Sequence, residues 1–195
     1  MTVTDPDFLR EVLDGLSMPQ KTLSPKWLYD RKGSEIFEDI TEVPEYYPTR
    51  TEAKIFPHAF ADLAERLPNI RTVIEYGSGS SKKTDPLLSA LKPEIYVPSD
   101  ISESFLKDAA ADIQGRFPNI RVVPLVADFT QPIRLPEGIG DPEERLGFFP
   151  GSTIGNFEAG AAIPFLSRVR ASLGDGSAFL ISADLIKERG VLEAA

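Results

Sequence analysis

From residue 72 onward, short apolar runs alternate with longer stretches whose apolar residues recur at helical spacing. This alternation is typical of βαβ units, in which parallel strands are joined by helices that pack on the sheet. The predicted strands are 72–75, 95–98, 122–126, 146–149 and 178–182, and the predicted helices between them are 85–91, 103–117 and 159–173. The pattern therefore predicts an α/β fold, mainly a parallel sheet with helices on both faces. A chain of 195 residues is long enough for one such domain.

The first 68 residues have a different character. Residues 5–16 carry an amphipathic helical pattern behind Thr4, a good N-cap, and residues 19–48 are rich in proline and aromatic side chains. Thr49 and Glu52 fit a capping box that opens a further helix to Leu67, which Pro57 is expected to kink or delay. We divide the chain into an N-terminal helical segment, 1–68, that covers the sheet and contributes to a substrate pocket, and a Rossmann-like domain, 69–195.

Composition narrows the function classes. The net charge of −9 repels phosphate backbones and anionic lipids, so neither nucleic acid nor a membrane is expected as a partner. The chain has no cysteine and one histidine, His58, which is predicted to be a helix-surface residue, and no metal site is expected. With no apolar run of membrane-spanning length and no secretory signal pattern, the predicted location is the cytoplasm. Composition leaves the oligomeric state open.

The first predicted strand runs directly into a glycine-rich turn that begins Gly77-Ser78-Gly79. Glycines let a ligand approach the backbone closely, because they lack a Cβ atom and tolerate positive φ. A dinucleotide fingerprint requires a third glycine where this chain has Lys82, and the spacing of a P-loop is not met. The turn therefore favours an adenosyl ligand without a pyrophosphate, the alternative being a tight turn that binds nothing.

Acidic residues follow at the ends of successive predicted strands. Asp100 stands 23 residues after Gly77, where a carboxylate accepts hydrogen bonds from ribose hydroxyls, and Asp128 with Phe129 suits an adenine amino group and ring. Taken alone, each acid fits a helix cap better than a ligand contact. Their coincidence at the strand ends predicts a cofactor site that comprises Glu75, Gly77, Ser78, Gly79, Asp100, Asp128 and Phe129. Asn156, after the fourth strand, either holds a substrate polar group or caps the next helix.

Five motifs in order carry a resemblance to a known family. They are Leu28-Tyr29-Asp30, residues 44–50, residues 77–84, residues 127–130 and Thr153-Ile154-Gly155-Asn156. Together they resemble the histidine-specific α-N-methyltransferases of ergothioneine biosynthesis, from about residue 20 to the last residue. The resemblance implies a class I methyltransferase fold, S-adenosylmethionine as cofactor, and methylation of the α-amino group of histidine. It also implies that Gly77, Lys83, Asp100, Asp128 and Phe129 bind the cofactor, and that Tyr29, either Tyr46 or Tyr47, and Asn156 line the substrate pocket.

Members of that family continue past the segment that matches residues 184–195, so the chain is expected to be a truncated member. Its last strand is then expected to have an unpaired edge, or one covered by a partner chain. Three other functions stay open: a methyltransferase for another small amine, a non-catalytic adenosyl-binding module, and a nicotinamide-dependent oxidoreductase. Instead of lining a substrate pocket, the tyrosine-rich residues 44–48 could form a surface that binds another protein.

Overall fold

The computed structural model of the chain describes residues 6–79, 81 and 83–194. The predicted N-cap Thr4 and the turn residues Ser80 and Lys82 lie outside the described residues. The described strands form one sheet in the order β3-β2-β1-β5-β6, with β4 paired to the second half of β2, and every pairing is parallel. The strands are β1 Thr72–Tyr76, β2 Ile95–Asp100, β3 Arg121–Val122, β4 Leu125–Val126, β5 Arg145–Phe149 and β6 Ala178–Ile181. The prediction of an α/β fold with a parallel sheet is confirmed.

One predicted strand, 122–126, is two short strands in the structure. β3 pairs with Ile95 and Tyr96, whereas β4 pairs with Ser99 and Asp100. Between the two pairings lie Pro124 on one side and Pro98 on the other. Neither proline has an N–H group to donate to the sheet, so regular pairing is interrupted there.

The described part of the chain contains seven α-helices. They are α1 Pro6–Ser17, α2 Arg31–Glu42, α3 Tyr47–Arg66, α4 Thr84–Leu91, α5 Glu103–Arg116, α6 Ala159–Leu173 and α7 Arg189–Ala194, with 3-10 turns at Pro25–Leu28, Pro142–Glu144 and Thr153–Asn156. The helices α1, α4, α5 and α6 lie within one residue of the predicted bounds. The helix α2 was not predicted, although Asp30 caps it by accepting a hydrogen bond of 2.8 Å from the Gly33 N–H group.

The predicted start of α3 is wrong. The helix begins at Tyr47, with Tyr46 at the N-cap position and Pro48 in the first turn. The N–H groups of a first turn have no acceptor within the helix, so proline, which lacks an N–H group, is favourable there. Thr49 therefore lies inside the helix, and no capping box forms. α3 continues through Pro57 to Arg66, so Pro57 does not delay its start.

The core has two parts, one on each face of the sheet, because successive strand residues point to opposite faces. On one face Phe56 and Phe60 of α3 pack against Phe148 of β5, together with side chains of α4 and α5. On the other face Phe149 of β5 packs against Phe165 of α6. Helices therefore cover both faces, as the alternation of the sequence predicts.

The part of the chain before α2 reaches the carboxyl edge of the sheet near Asp128. Phe8 of α1 packs edge-on against Trp27, with ring centroids 5.1 Å apart. Beside Trp27, the Lys26 ammonium lies 3.6 Å from the Asp128 carboxylate, just beyond β4. On α2, Arg31 donates to Asp108 of α5 at 3.1 Å. None of the helices in the described ranges is long and apolar enough to cross a membrane.

Replacing Phe60 with alanine tests the α3 contact with the sheet. The Phe60 ring is 1% exposed and lies 4.8 Å from the Phe56 ring and 5.8 Å from the Phe148 ring. We expect F60A to lower the free energy of unfolding in urea by about 3–5 kcal/mol, because it leaves a cavity. The control I55A removes a side chain that is 55% exposed on the same helix and should cost less than about 1 kcal/mol. Equal losses in the two variants would contradict this packing.

Candidate active site at the carboxyl edge of the sheet

The glycine-rich turn leaves β1 in a conformation that glycine favours. Gly77 has φ +72 and Gly79 has φ +51. The N–H groups of Gly77 and Ser78 both donate to the Ser99 carbonyl, at 2.8 and 2.9 Å. A Cβ atom at Gly77 would lie 3.2 Å from the Phe129 ring, whereas one at Gly79 would meet nothing within 4 Å among the residues that the structure describes. The turn is therefore closed toward Phe129 and open above Gly79.

Asp100, the last residue of β2, lies beside this turn. One carboxylate oxygen accepts from the Gly79 N–H group at 3.0 Å, and the other accepts from the Ser102 N–H group at 3.0 Å. Each oxygen has a second lone pair for a further donor. Ser78 contributes a buried hydroxyl that has no hydrogen-bond partner among the described residues. Asp100, Gly77, Ser78 and Gly79 are thus brought together as the sequence predicts.

Glu75 lies underneath the turn and is 1% exposed. Its carboxylate accepts from the Thr84 hydroxyl at 2.5 Å and from the Tyr96 hydroxyl at 2.6 Å. Burial raises the pKa of Glu75 from its usual 4.5 to about 7, against the lowering effect of these two hydrogen bonds and of Lys83. Its side chain therefore links β1 to β2 and to the start of α4.

Asp128 and Phe129 follow β4 at the same edge. One Asp128 oxygen accepts from the N–H group and the hydroxyl of Thr130, at 2.9 and 2.5 Å, while the other faces Lys26. The Phe129 ring packs on Phe149 and Phe165, with centroids 5.5 and 5.9 Å away. A negative group and a flat ring therefore lie next to each other beside Gly77.

Two of the tyrosines predicted to line the substrate pocket share one aromatic neighbour. Tyr29 and Tyr46 both pack edge-on against Phe37, with centroids 5.8 and 6.0 Å away. Burial raises the pKa of Tyr29, and the Asp100 charge raises it further. Burial also raises the pKa of Tyr46, and the next largest contribution comes from Tyr29. Tyr29 is therefore close enough to Asp100 to feel its charge, and both phenols stay protonated near neutral pH.

Tyr47 points elsewhere. Its hydroxyl donates to Asp184, and Lys187 lies 4.6 Å above its ring. Tyr47 borders a cleft of about 300 Å³ between α3 and β6, whose lining also includes Glu52, Ser152 and Asp184. Both Tyr46 and Tyr47 are half-buried, while residues 43–45 are exposed.

Asn156 lies at the end of the 3-10 turn Thr153–Asn156, which follows β5, and it is exposed. The N-cap position of α6 belongs to Glu158, so Asn156 does not cap that helix. The turn begins with two left-handed residues, Gly151 at φ +81 and Ser152 at φ 55. This sharp reversal brings the segment back to the strand ends.

Glu52 was not among the predicted site residues, although it lies beside several of them. Its carboxylate accepts from the Lys83 ammonium at 2.6 Å, from the Gly151 N–H group at 2.7 Å, and from the Ser182 hydroxyl. These partners are 31, 99 and 130 residues away in the chain, so no local sequence pattern predicts the contacts. The predicted cofactor residue Lys83 is thereby held at the edge that carries the other candidates.

Cavity size alone does not locate this site. A space of about 620 Å³ lies between α1 and residues 18–26, away from the glycine-rich turn, and charged side chains line much of it. We assign the candidate site to the strand ends, because the glycine-rich turn, the carboxylates and the tyrosines converge there.

His58 lies exposed on α3, as expected for a surface histidine.

Sequence comparison matches nearly the whole chain to one family. A sequence model described as "Histidine-specific methyltransferase, SAM-dependent" matches residues 8–195. The chain is 37% identical over 190 residues to the histidine N-alpha-methyltransferase of Mycolicibacterium smegmatis, covering 95% of this chain and 58% of that protein. It is 30% identical over 190 residues to the 4-dimethylallyltryptophan N-methyltransferase of Epichloe festucae var. lolii, covering 90% of this chain and 55% of that protein. The chain thus spans little more than half the length of these relatives.

Structural comparison supports the same fold. The magnesium protoporphyrin IX methyltransferase of Synechocystis PCC 6803, solved with bound SAM, superposes with a TM-score of 0.55 at 18% identity, covering 79% of this chain and 74% of that one. The predicted Rossmann-like class I methyltransferase fold is confirmed.

The raised pKa of Glu75 gives a stability signature. Because its pKa in the folded state is about 7 against 4.5 when unfolded, this carboxyl favours folding below pH 4.5 and loses that contribution as the pH rises to about 7. Replacing Glu75 with glutamine removes the titration. We expect the unfolding free energy of E75Q relative to wild type to rise by about 3 kcal/mol across this window, measured by urea denaturation at each pH.

The control for this series is E137Q, which neutralises an exposed carboxylate. Its difference from wild type should change little with pH. A flat difference for E75Q as well would mean that Glu75 titrates normally.

Proposed function

The chain belongs to the family of histidine-specific, SAM-dependent methyltransferases, and on that basis we propose that its strand-end site binds S-adenosylmethionine and presents the α-amino group of histidine for methylation. The observation that carries this proposal is the convergence of the open glycine-rich turn, Asp100 and Asp128 at one edge of a parallel sheet. Ligands of open α/β sheets bind at this edge.

The residues at the edge fit an adenosyl group. The free lone pairs of Asp100 suit the two ribose hydroxyls, and the open space above Gly79 leaves room for them. Asp128 suits the adenine amino group, and Phe129 offers a ring face or edge beside it. Lys83 adds positive charge on the same side, where the amino-acid portion of S-adenosylmethionine carries a carboxylate.

Methyl transfer places few demands on acid-base chemistry. When bound, S-adenosylmethionine supplies a methyl group on a sulfonium, which a neutral amine takes in line as the C–S bond breaks and the C–N bond forms. The amine then loses its extra proton to water. What the chain must do is orient the amine, keep it close and limit water.

The tyrosines and Asn156 suit that positioning role. With their pKa values raised, Tyr29, near Asp100, and Tyr46, near Tyr29, remain neutral hydrogen-bonding groups. Asn156 is exposed beside the same edge, so its amide is open to the substrate. In this proposal the N-terminal segment 1–68 forms one wall of the pocket, since it carries both tyrosines, and Tyr47 borders the adjoining cleft.

The experiment is a calorimetric titration of this chain with S-adenosylhomocysteine, followed by histidine into the complex. Saturable binding of both ligands supports the proposal, and methylation is then measured with S-adenosylmethionine. Tryptophan serves as the competing amino acid, because one relative carries the name of a dimethylallyltryptophan methyltransferase.

The other outcomes of this titration either assign a different function or contradict the proposed site. Preference for tryptophan assigns another amine, and ligand binding without turnover assigns a non-catalytic adenosyl-binding module. A folded sample that binds no S-adenosylhomocysteine contradicts the proposed site.

Two substitutions separate the sides of the site. We expect N156A to weaken histidine binding about tenfold, the effect of one lost hydrogen bond to a charged or polar group, while leaving S-adenosylhomocysteine nearly unchanged. D100N should do the reverse, because it replaces the carboxylate that faces the ribose. Calorimetry on both variants measures the two dissociation constants, and equal loss of both ligands in N156A would contradict the assigned role.

A further inference from the structure

We propose that Glu52 is a positioning residue that couples the cofactor side of the site to the amine side. The inference rests on the proposed function and extends it to a residue outside the predicted set. Glu52 lies on α3 and is 8% exposed. Its carboxylate faces the sheet edge, where it joins segments that follow three different strands.

The cofactor side is held through Lys83. The Lys83 ammonium lies 2.6 Å from one Glu52 oxygen, and its side chain is 25% exposed. Lys83 follows the glycine-rich turn and immediately precedes α4. A charge-assisted hydrogen bond at this distance is short and strong, so it restricts the position of Lys83.

The amine side is held through the other Glu52 oxygen. That oxygen accepts from the Gly151 N–H group at 2.7 Å and from the Ser182 hydroxyl. Gly151 has φ +81 and begins the sharp turn that leads to Asn156. A Cβ atom at Gly151 would lie 3.4 Å from the Lys83 ammonium, so the two sides meet directly at this point.

The hydrogen bonds continue from Glu52 into the turn before Asn156. The Ser182 hydroxyl, which donates to Glu52, accepts from the Ser152 N–H group at 3.3 Å. The Ser152 hydroxyl in turn accepts from the Asp184 N–H group at 2.8 Å. Hydrogen bonds therefore connect residues 151, 152, 182 and 184 through Glu52 and one another, and Glu52 also binds Lys83.

A buried carboxylate is costly unless it is paired, and here it has a cation and two further donors. A ligand that attracts Lys83 weakens its ion pair with Glu52. The Glu52 carboxylate is then less neutralised where it accepts hydrogen bonds from Gly151 and Ser182. Occupation of the cofactor side therefore alters the turn that carries Asn156, and the reverse holds by thermodynamic linkage.

The test measures this coupling as a ratio. Histidine is titrated into the 195-residue chain with and without saturating S-adenosylhomocysteine, and the ratio of the two dissociation constants is the coupling factor. For wild type we expect a ratio of roughly ten, within the usual range for coupled sites. For E52Q, which keeps an oxygen for Gly151 but loses the ion pair with Lys83, we expect a ratio near one.

Two other variants complete the design. E65Q makes the same change at an exposed position of α3 and should retain the wild-type ratio. S182A removes the hydroxyl between Glu52 and Ser152, and it should lower the ratio without touching the ion pair, which provides an independent test if E52Q fails to fold. Hydrogen exchange should also rise at residues 151–157 in E52Q but not in E65Q.

The outcomes distinguish the two proposals. If wild type binds both ligands with a ratio near one, or if E52Q and S182A keep the wild-type ratio, the coupling role is overturned and the proposed function stands. A purely structural role for Glu52 would lower the melting temperature of E52Q while leaving the ratio unchanged, which also overturns the inference. Failure of folded wild type to bind S-adenosylhomocysteine overturns the proposed function and, with it, this inference.

Discussion

The carbonyl of Ser99 continues the pairing of β1 with β2 past the end of β1, because it accepts from the N–H groups of both Gly77 and Ser78. In this register Tyr76 lies opposite Ser99, so the next residue, Asp100, reaches the Gly79 N–H group. A slip of one residue would turn the Asp100 side chain to the other face of the sheet. The open turn and the carboxylate beside it both depend on this one register.

Two buried glutamates show different ways of satisfying a carboxylate at the same edge. Glu75 is bound by two neutral hydroxyls, from Thr84 and Tyr96, and burial raises its pKa to about 7. Glu52 has the Lys83 cation as a partner, which offsets the cost of removing its charge from water. The first arrangement joins β1 to β2 and to the start of α4, on either side of the turn. The second joins loops that carry different parts of the proposed site, and it makes their positions depend on charge.

Predictions from sequence succeeded where the signal was local or repeated. Apolar runs located the strands, and the glycine-rich turn with Asp100 and Asp128 was placed at the strand ends because parallel strands point the same way. They failed where two signals competed. Thr49 and Glu52 match a capping box, but Pro48 suits the first turn of a helix, and burial of Glu52 against Lys83 favours the earlier start. The missed helix α2 had a usable signal in Asp30, which the aromatic and proline content of the segment obscured.

The sequence by itself determined the alternation of strands and helices after residue 72, the parallel sheet and the chemical character of the strand ends, because each of these follows from short segments with a clear apolar or polar pattern. Only the tertiary structure decided which side chains meet. Tyr46 packs toward Tyr29 through Phe37, while its neighbour Tyr47 bonds to Asp184. Glu52 finds partners 31, 99 and 130 residues away. Such pairs form because folding brings distant segments to one edge of the sheet and excludes water from them, and short-range patterns carry no information about that proximity.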